Sequence, residues 1–249
     1  MLTRIPTFAL RTAFHLFSGF NFYNTLFGAS ICIDEINRGR KTIFSELERR
    51  FGDKAVLLGR QGGFPGGKSG IEACFDHIPE HGKVVILYAP HVGISKDGVI
   101  GEILRQGQST TTLTCNDVIE AYELANKSPK LKKHSKDKEL FDYQSVVVEE
   151  MIQRRKNKDA SVNDVVAATY QMYEIIKDRL LSQIADLALP FTSVAVVGGI
   201  IINQYQGDEY FQPLSFQICK RDPCKQALNV VDLFQEAFGK PEAEAKLLQ

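Results

Sequence analysis

The run Val84-Val85-Ile86-Leu87-Tyr88-Ala89, closed by Pro90, constrains the fold more than any other part of this chain. It has no polar alternation, so a strand built from it must be covered on both faces. Strands of that kind belong to parallel sheets sandwiched between helices. Pro90 has no N–H to donate to a ladder and ends the run. Val194-Ala195-Val196-Val197 before Gly198-Gly199 reads the same way, with Ile200–Asn203 continuing or turning it. Such strands interleaved with helical segments predict a three-layer α/β fold: a mainly parallel central sheet flanked by helices.

The helical segments are read from apolar spacing. They cover Ile71–His77, Asp117–Leu124, Asp142–Lys156, Val162–Leu189 and Lys225–Phe238. In the longest, Val165, Val166, Thr169, Met172, Tyr173, Ile176 and Leu180 form one core-facing stripe. Ser161 with Asp164 resembles a capping box at its start. Short apolar or β-branched runs at Lys54–Leu58, Ser109–Thr114 and Tyr210–Ile218 read as strands, with a turn at Gln206-Gly207-Asp208. The lysine-rich Asn126–Leu140 reads as an exposed connection, Asp222–Cys224 as a break, and 239–249 as a flexible tail. Residues 1–31 carry Arg4 and Arg11 and no acid. They fit a basic amphipathic first helix, with 1–19 as a helical arm, or the end of an organelle-targeting segment.

Lys plus Arg and Asp plus Glu both number 30, a balance that argues against a general nucleic-acid binder. The longest apolar runs fall far short of the about 20 residues a membrane-spanning helix needs. Five cysteines at irregular spacing make no disulfide framework and point to a reducing compartment.

Cys32, His91 and Cys115 are the candidate metal ligands. Two thiolates and an imidazole suit Zn²⁺ and leave a fourth position for water. His91 follows a buried strand directly, where open α/β sheets present their ligands. The ligands are separated by 59 and 24 residues, so no short zinc-finger spacing is present. Near Cys32, Asp34 and Arg38 offer a carboxylate and a guanidinium able to grip it at both oxygens. Cys74 reads as core, Cys219 and Cys224 as a lesser pair, and His77 and His81 as surface residues. His15 and His134 have no acidic or nucleophilic setting.

A second motif competes. Gly62-Gly63-Phe64-Pro65-Gly66-Gly67-Lys68-Ser69 satisfies the nucleotide phosphate-loop pattern and lies between a predicted strand and helix. Against an NTPase, the next buried strand ends Tyr-Ala-Pro-His with no magnesium-binding aspartate, and Pro65 stiffens the loop.

Several separated blocks occur in order: Asn24 to Arg38, Gly66-Gly67-Lys68-Ser69-Gly70, Pro90-His91-Val92-Gly93-Ile94, Cys115, and Val196-Val197-Gly198-Gly199-Ile200. On these the chain resembles, from about Phe20 to Phe216, the limiting-CO2-inducible B/C proteins of algae and diatoms, relatives of the β-class carbonic anhydrases. The resemblance implies a single β-carbonic-anhydrase-like domain over 1–249, with zinc on Cys32, His91 and Cys115 and catalytic roles for Asp34 and Arg38. It implies reversible hydration of CO2 to bicarbonate and a proton, with a zinc-held hydroxide as nucleophile. A catalytically silent carbon-concentrating or bicarbonate-binding scaffold is the alternative. The same resemblance suggests a chloroplast location and a homodimer, for which the apolar 20–31 segment offers surface, or pairing with a related family member. Asn116-Asp117 departs from the small residues usual after the third ligand. Phe20, Phe22 and Tyr23 are candidates for a pocket wall or for core packing.

Overall fold

A computed structural model describes residues 19–21, 23–39, 42–51, 55–79, 82–127, 143–154, 163–187, 193–205, 207, 209–221 and 228–238. The expected arm over 1–18, most of the lysine-rich connection, Asp222–Cys224, the tail, Phe22, His15, His81, His134 and Ser161 lie outside these residues.

The strands are β1 (Thr25–Ile31), β2 (Val56–Leu57), β3 (Lys83–Ala89), β4 (His91–Ile94), β5 (Glu102–Ile103), β6 (Thr112–Leu113), β7 (Ser193–Gln204), β8 (Glu209–Arg221) and β9 (Leu228–Asp232). The helices are α1 (Ile43–Phe51), α2 (Lys68–Asp76), α3 (Asn116–Lys127), α4 (Tyr143–Gln153), α5 (Asp164–Asp186) and α6 (Phe234–Phe238). The main sheet runs β2-β1-β3-β7-β8-β9, with β4 also on β7. Pairs among β1, β2, β3, β4 and β7 are parallel; β8 and β9 add an antiparallel edge.

Alternation on β3 builds two cores. Val84, Ile86 and Tyr88 face α2, α3, α4 and α5, whereas Val85, Leu87 and Ala89 face α1 and α6. Each aliphatic side chain so buried contributes about 1.5–3 kcal/mol. The predicted stripe on α5 supplies much of the first core, with Met172, Ile176 and Leu180 fully buried. Its N-cap is Asn163, whose side chain accepts from the Val165 amide, and not the Ser161 box expected from sequence.

Pro90 interrupts a ladder without ending it. Tyr88 faces Gly198 and His91 faces Ile201, the same offset along β7, while the Ile201 amide donates to the Pro90 carbonyl at 3.0 Å. β3 and β4 are therefore one line of chain with a missing donor in the middle.

Two sequence expectations are corrected. The apolar segment before Cys32 is no helix and no free surface: residues 25–31 form β1, paired on both sides, and Phe20, Phe27 and Ile31 are consumed by the chain's own core. The final helix shrinks to Phe234–Phe238, because Leu228–Asp232 pairs with β8 and Asp232 then caps the short helix through the Phe234 amide at 2.8 Å. No described helix is long and apolar enough to cross a membrane.

Candidate metal centre

β1 leads through α1 to β2 on one side, and the chain then returns through α2 to β3 on the other. The sheet order thus reverses between β1 and β3, which opens a crevice at their carboxyl ends. Cys32 is the first residue past β1, and His91 stands just past β3, where Ile31 and Ala89 are register partners. Cys115 arrives from elsewhere, between β6 and the amino end of α3.

Thr114 delivers it. Its hydroxyl accepts from the Gly93 amide at 2.8 Å and donates to the Gly101 carbonyl at 3.1 Å, and its own amide donates to that carbonyl at 2.8 Å. Gly93 permits this closeness, since a Cβ there would meet the Thr114 methyl at 2.5 Å and the Glu102 carbonyl at 2.8 Å. Cys115 itself adopts φ of 50°, the one positive value among described non-glycine residues. A cysteine in the left-handed region costs about 1 kcal/mol or more, and such strain gathers at functional sites.

The donor atoms of Cys32, His91 and Cys115 all lie within 4.8 Å of one another. The two sulfurs are 3.8 Å apart. His91 is buried, its Nδ1 lies 3.0 Å from Asn203 Oδ1, and its Nε2 has no hydrogen-bond partner. A buried nitrogen without a partner, facing two thiols, is what a metal site requires of its third donor. This set fits Zn²⁺ by softness and number. As bare side chains, the hydrogen bond donated by Cys115 holds Cys32 down to about 4 against burial, with His91 also lowering it. Cys115 is pushed up for the complementary reason, keeping its proton toward Cys32. Burial alone would lower His91, but the neighbouring Cys32 together with Asn203 and Asp34 outweighs it and the net shift is upward.

Asp34 stands beside this cluster, its Oδ2 3.7 Å from His91 Nε2. The guanidinium that grips it is not Arg38. Arg105 donates from its two terminal nitrogens to Asp34 Oδ1 and Oδ2 at 2.7 and 2.9 Å. Arg105 sits in the β5–β6 hairpin, braced by Thr112 Oγ1 at 3.2 Å and the Leu113 carbonyl at 3.3 Å. Arg38, itself exposed, ends the 3-10 turn Glu35–Arg38 that Asp34 caps. Burial would raise the Asp34 carboxyl, but Arg105 and His91 together bring it below its ordinary value.

Sequence reasoning did not find Arg105, Asn203 or Thr114. Only Thr114, adjacent to Cys115, carried a local signal. Phe20 and Tyr23 are not at the pocket: they precede β1, Cys32 follows it, and seven strand residues span roughly 20 Å. Phe20 is core and Tyr23 is exposed. The exposed apolar residues next to the centre's own segments are Ile33, Leu104 and Leu113, whereas Ile31 and Val92 are buried.

The phosphate-loop reading also fails on geometry. Phe64 is fully buried beneath Arg179, and the amides of Gly63, Phe64 and Gly66 donate to Arg60, Gln61 and Leu58 carbonyls. Those three amides are spent within the fold and are not offered to a phosphate. Lys68 pairs with Glu72 on the surface at 3.4 Å.

Comparison with protein families matches residues 4–220 to the limiting CO2-inducible proteins B/C β-carbonic anhydrases. The chain belongs to that family. The crystal structure of PtLCIB4, a homolog of the limiting CO2-inducible protein LCIB, is 24% identical, with 91% of this chain and 92% of that one covered at a TM-score of 0.76. LCIB itself is 19% identical, with 91% of each chain covered at 0.65. These two likenesses carry the fold, a mixed α/β architecture with a mostly parallel central sheet. A search of curated proteins returned no match. Within this limiting CO2-inducible B/C framework, the buried Cys-His-Cys cluster is a group able to bind a metal.

Proposed function

We propose that this family member is a zinc-dependent carbonic anhydrase, hydrating CO2 reversibly to bicarbonate and a proton. The observation that carries the reading is the Cys32–His91–Cys115 cluster with Asp34 beside it, held at both oxygens by Arg105. Cys32, His91 and Cys115 would hold the metal. When bound, zinc supplies a Lewis acid that lowers the pKa of water toward neutrality and so makes a nucleophile for CO2 available at physiological pH.

The remaining work falls to this chain's own side chains. Asp34 stays ionised near neutral pH, in keeping with its lowered pKa, and its Oδ2, 3.7 Å from His91 Nε2, would accept a hydrogen bond from a water at the cluster. Arg105 occupies both Asp34 oxygens and so opposes the carboxylate's use as a fourth ligand. Ile33, Leu104 and Leu113, exposed on the segments that carry Cys32, Arg105 and Cys115, would offer apolar surface that suits a small apolar gas. Asn116 and Asp117 begin α3 beside Cys115 and add polar surface.

Zinc analysis after purification under reducing, chelator-free conditions, followed by stopped-flow CO2 hydration, tests the reading. One zinc per chain with turnover lost in Asp34→Asn supports it. A zinc-loaded protein without turnover replaces it with the silent scaffold, and a metal-free protein removes the centre altogether. A homodimer is the proposed assembly on family grounds, and sedimentation at a single species near 28 kDa at all concentrations would reject it.

A further inference from the structure

We infer that Asn203 is a positioning residue for the metal centre: its amide oxygen selects the His91 tautomer that turns an unprotonated Nε2 toward the two thiols. The inference rests on the metal reading above. Oδ1 of an asparagine can only accept a hydrogen bond, so the nitrogen 3.0 Å away must carry a proton. With Nδ1 protonated, the neutral ring keeps its lone pair on Nε2. The opposite arrangement, Asn203 donating to Nδ1, would put the proton on Nε2. There it would face the Cys32 and Cys115 sulfurs without a well-formed hydrogen bond, and the lone pair that a metal needs from the third donor would be gone.

The fold explains how Asn203 reaches the ring. β4 and β7 pair His91 with Ile201 and Gly93 with Asn203, so Asn203 is the diagonal neighbour of His91 on the same sheet face. Gly93 has no side chain to stand between them. Asn203 is itself 4% exposed and His91 2%, so water does not compete for the bond. On its other side Asn203 is paired with Glu209, whose carboxyl Oε1 accepts from the Ile43 amide at 2.6 Å and is thereby taken up away from Asn203. One polar residue at the end of an otherwise apolar strand thus sets the third donor from a strand that contributes no ligand of its own.

Zinc affinity is measured by competition with a chromophoric chelator in the full chain and in Asn203→Leu, Asn203→Gln and Asn203→Asp. Asn203→Leu removes the acceptor at nearly constant volume and is expected to weaken zinc by about 10- to 100-fold, with the urea midpoint of the metal-free protein little changed. Asn203→Gln displaces the oxygen by one methylene and is expected to weaken zinc about tenfold, which keeps the test open if the leucine variant fails to fold. Asn203→Asp retains an acceptor in place and is expected to stay within about threefold of the native chain. Long-range ¹H–¹⁵N correlation on the metal-free protein, at a pH high enough for the ring to be neutral, reads the tautomer directly, and Nδ1–H is expected. Native affinity in both Asn203→Leu and Asn203→Gln, or an Nε2–H ring, overturns the inference. A native chain that takes up no zinc instead overturns the metal reading, while the tautomer still reports on the Asn203–His91 bond.

Discussion

Arg105 and Asp34, 71 residues apart in sequence, meet in a two-pronged ion pair at 2.7 and 2.9 Å beside the Cys-His-Cys cluster. The hairpin carrying the guanidinium therefore governs the carboxylate, although the nearer Arg38 is in the same segment. Truncating a bidentate, charge-assisted pair costs about 1.5–3 kcal/mol, so Arg105→Ala should lower kcat/KM for CO2 by about ten- to hundredfold with zinc retained. Arg38→Ala should stay within about twofold, as exposed charges do. Stopped-flow hydration assays run beside metal analysis check both, and equal losses in the two variants would contradict the assignment.

Removing a ligand should remove the metal. Cys32→Ser, His91→Ala and Cys115→Ser are each expected to carry well under one zinc per chain, and metal stripping should lower the native chain's melting temperature, because a ligand that binds only the folded state stabilises it. With sulfurs 3.8 Å apart, the stripped native chain treated with a mild thiol oxidant should also lose two titratable thiols and form a Cys32–Cys115 disulfide. Peptide mass mapping reads that bond, and protection by added zinc is the control.

Glu209 predicts a pH dependence of stability. Burial pushes its carboxyl up to about 8, against a bond from the Ile43 amide that lowers it. The folded pKa lies above the unfolded value of 4.5, so the native state favours the neutral acid. Its contribution is fully present below about pH 4.5, declines as pH rises, and is gone above about 8. Glu209→Gln keeps an oxygen for the Ile43 amide and cannot ionise. Between pH 6 and 9 the urea midpoint of the native chain should fall relative to this variant, by the equivalent of a few kcal/mol. Parallel curves for the two proteins would count against a buried neutral carboxyl.

Lys68 should be dispensable. Among the described residues it makes only an exposed i,i+4 pair with Glu72, so Lys68→Ala should change stability by less than about 0.5 kcal/mol and leave CO2 hydration unaltered. Calorimetry with Mg-ATP should give no binding heat in either protein. Saturable heat that vanished in Lys68→Ala would restore the nucleotide reading.

What was legible in the chain follows from the range over which each signal acts. β3 could be read because six consecutive apolar residues and a proline are a local pattern, and the location of His91 after it followed. The stripe on α5 was equally local. β1 was not read as a strand, because its apolar residues lacked clear punctuation and its pairing comes from β2 and β3 on either side. Lys225–Phe238 looked helical by spacing, yet β8 offered an edge that Leu228–Asp232 could join, and ladder bonds outweighed propensity. The grouping of Cys32, His91 and Cys115 was legible from residue chemistry and family resemblance. Arg105 was not, since no local pattern marks a side chain whose partner lies on another element. Arg38 is the nearer cation in sequence and the one the family resemblance points to.

The contacts among Gly93, Gly101 and Thr114 close the β5–β6 hairpin at its neck. His91 and Cys115 are consequently neighbours whatever length of chain runs between them, and each doubling of such a loop costs only about 0.6 kcal/mol of closure entropy. The hairpin behaves as a cartridge: its tip, with Arg105, can be exchanged, lengthened or redesigned while the anchor points of the donors stay where they are. Tuning and anchoring are separately heritable in this protein.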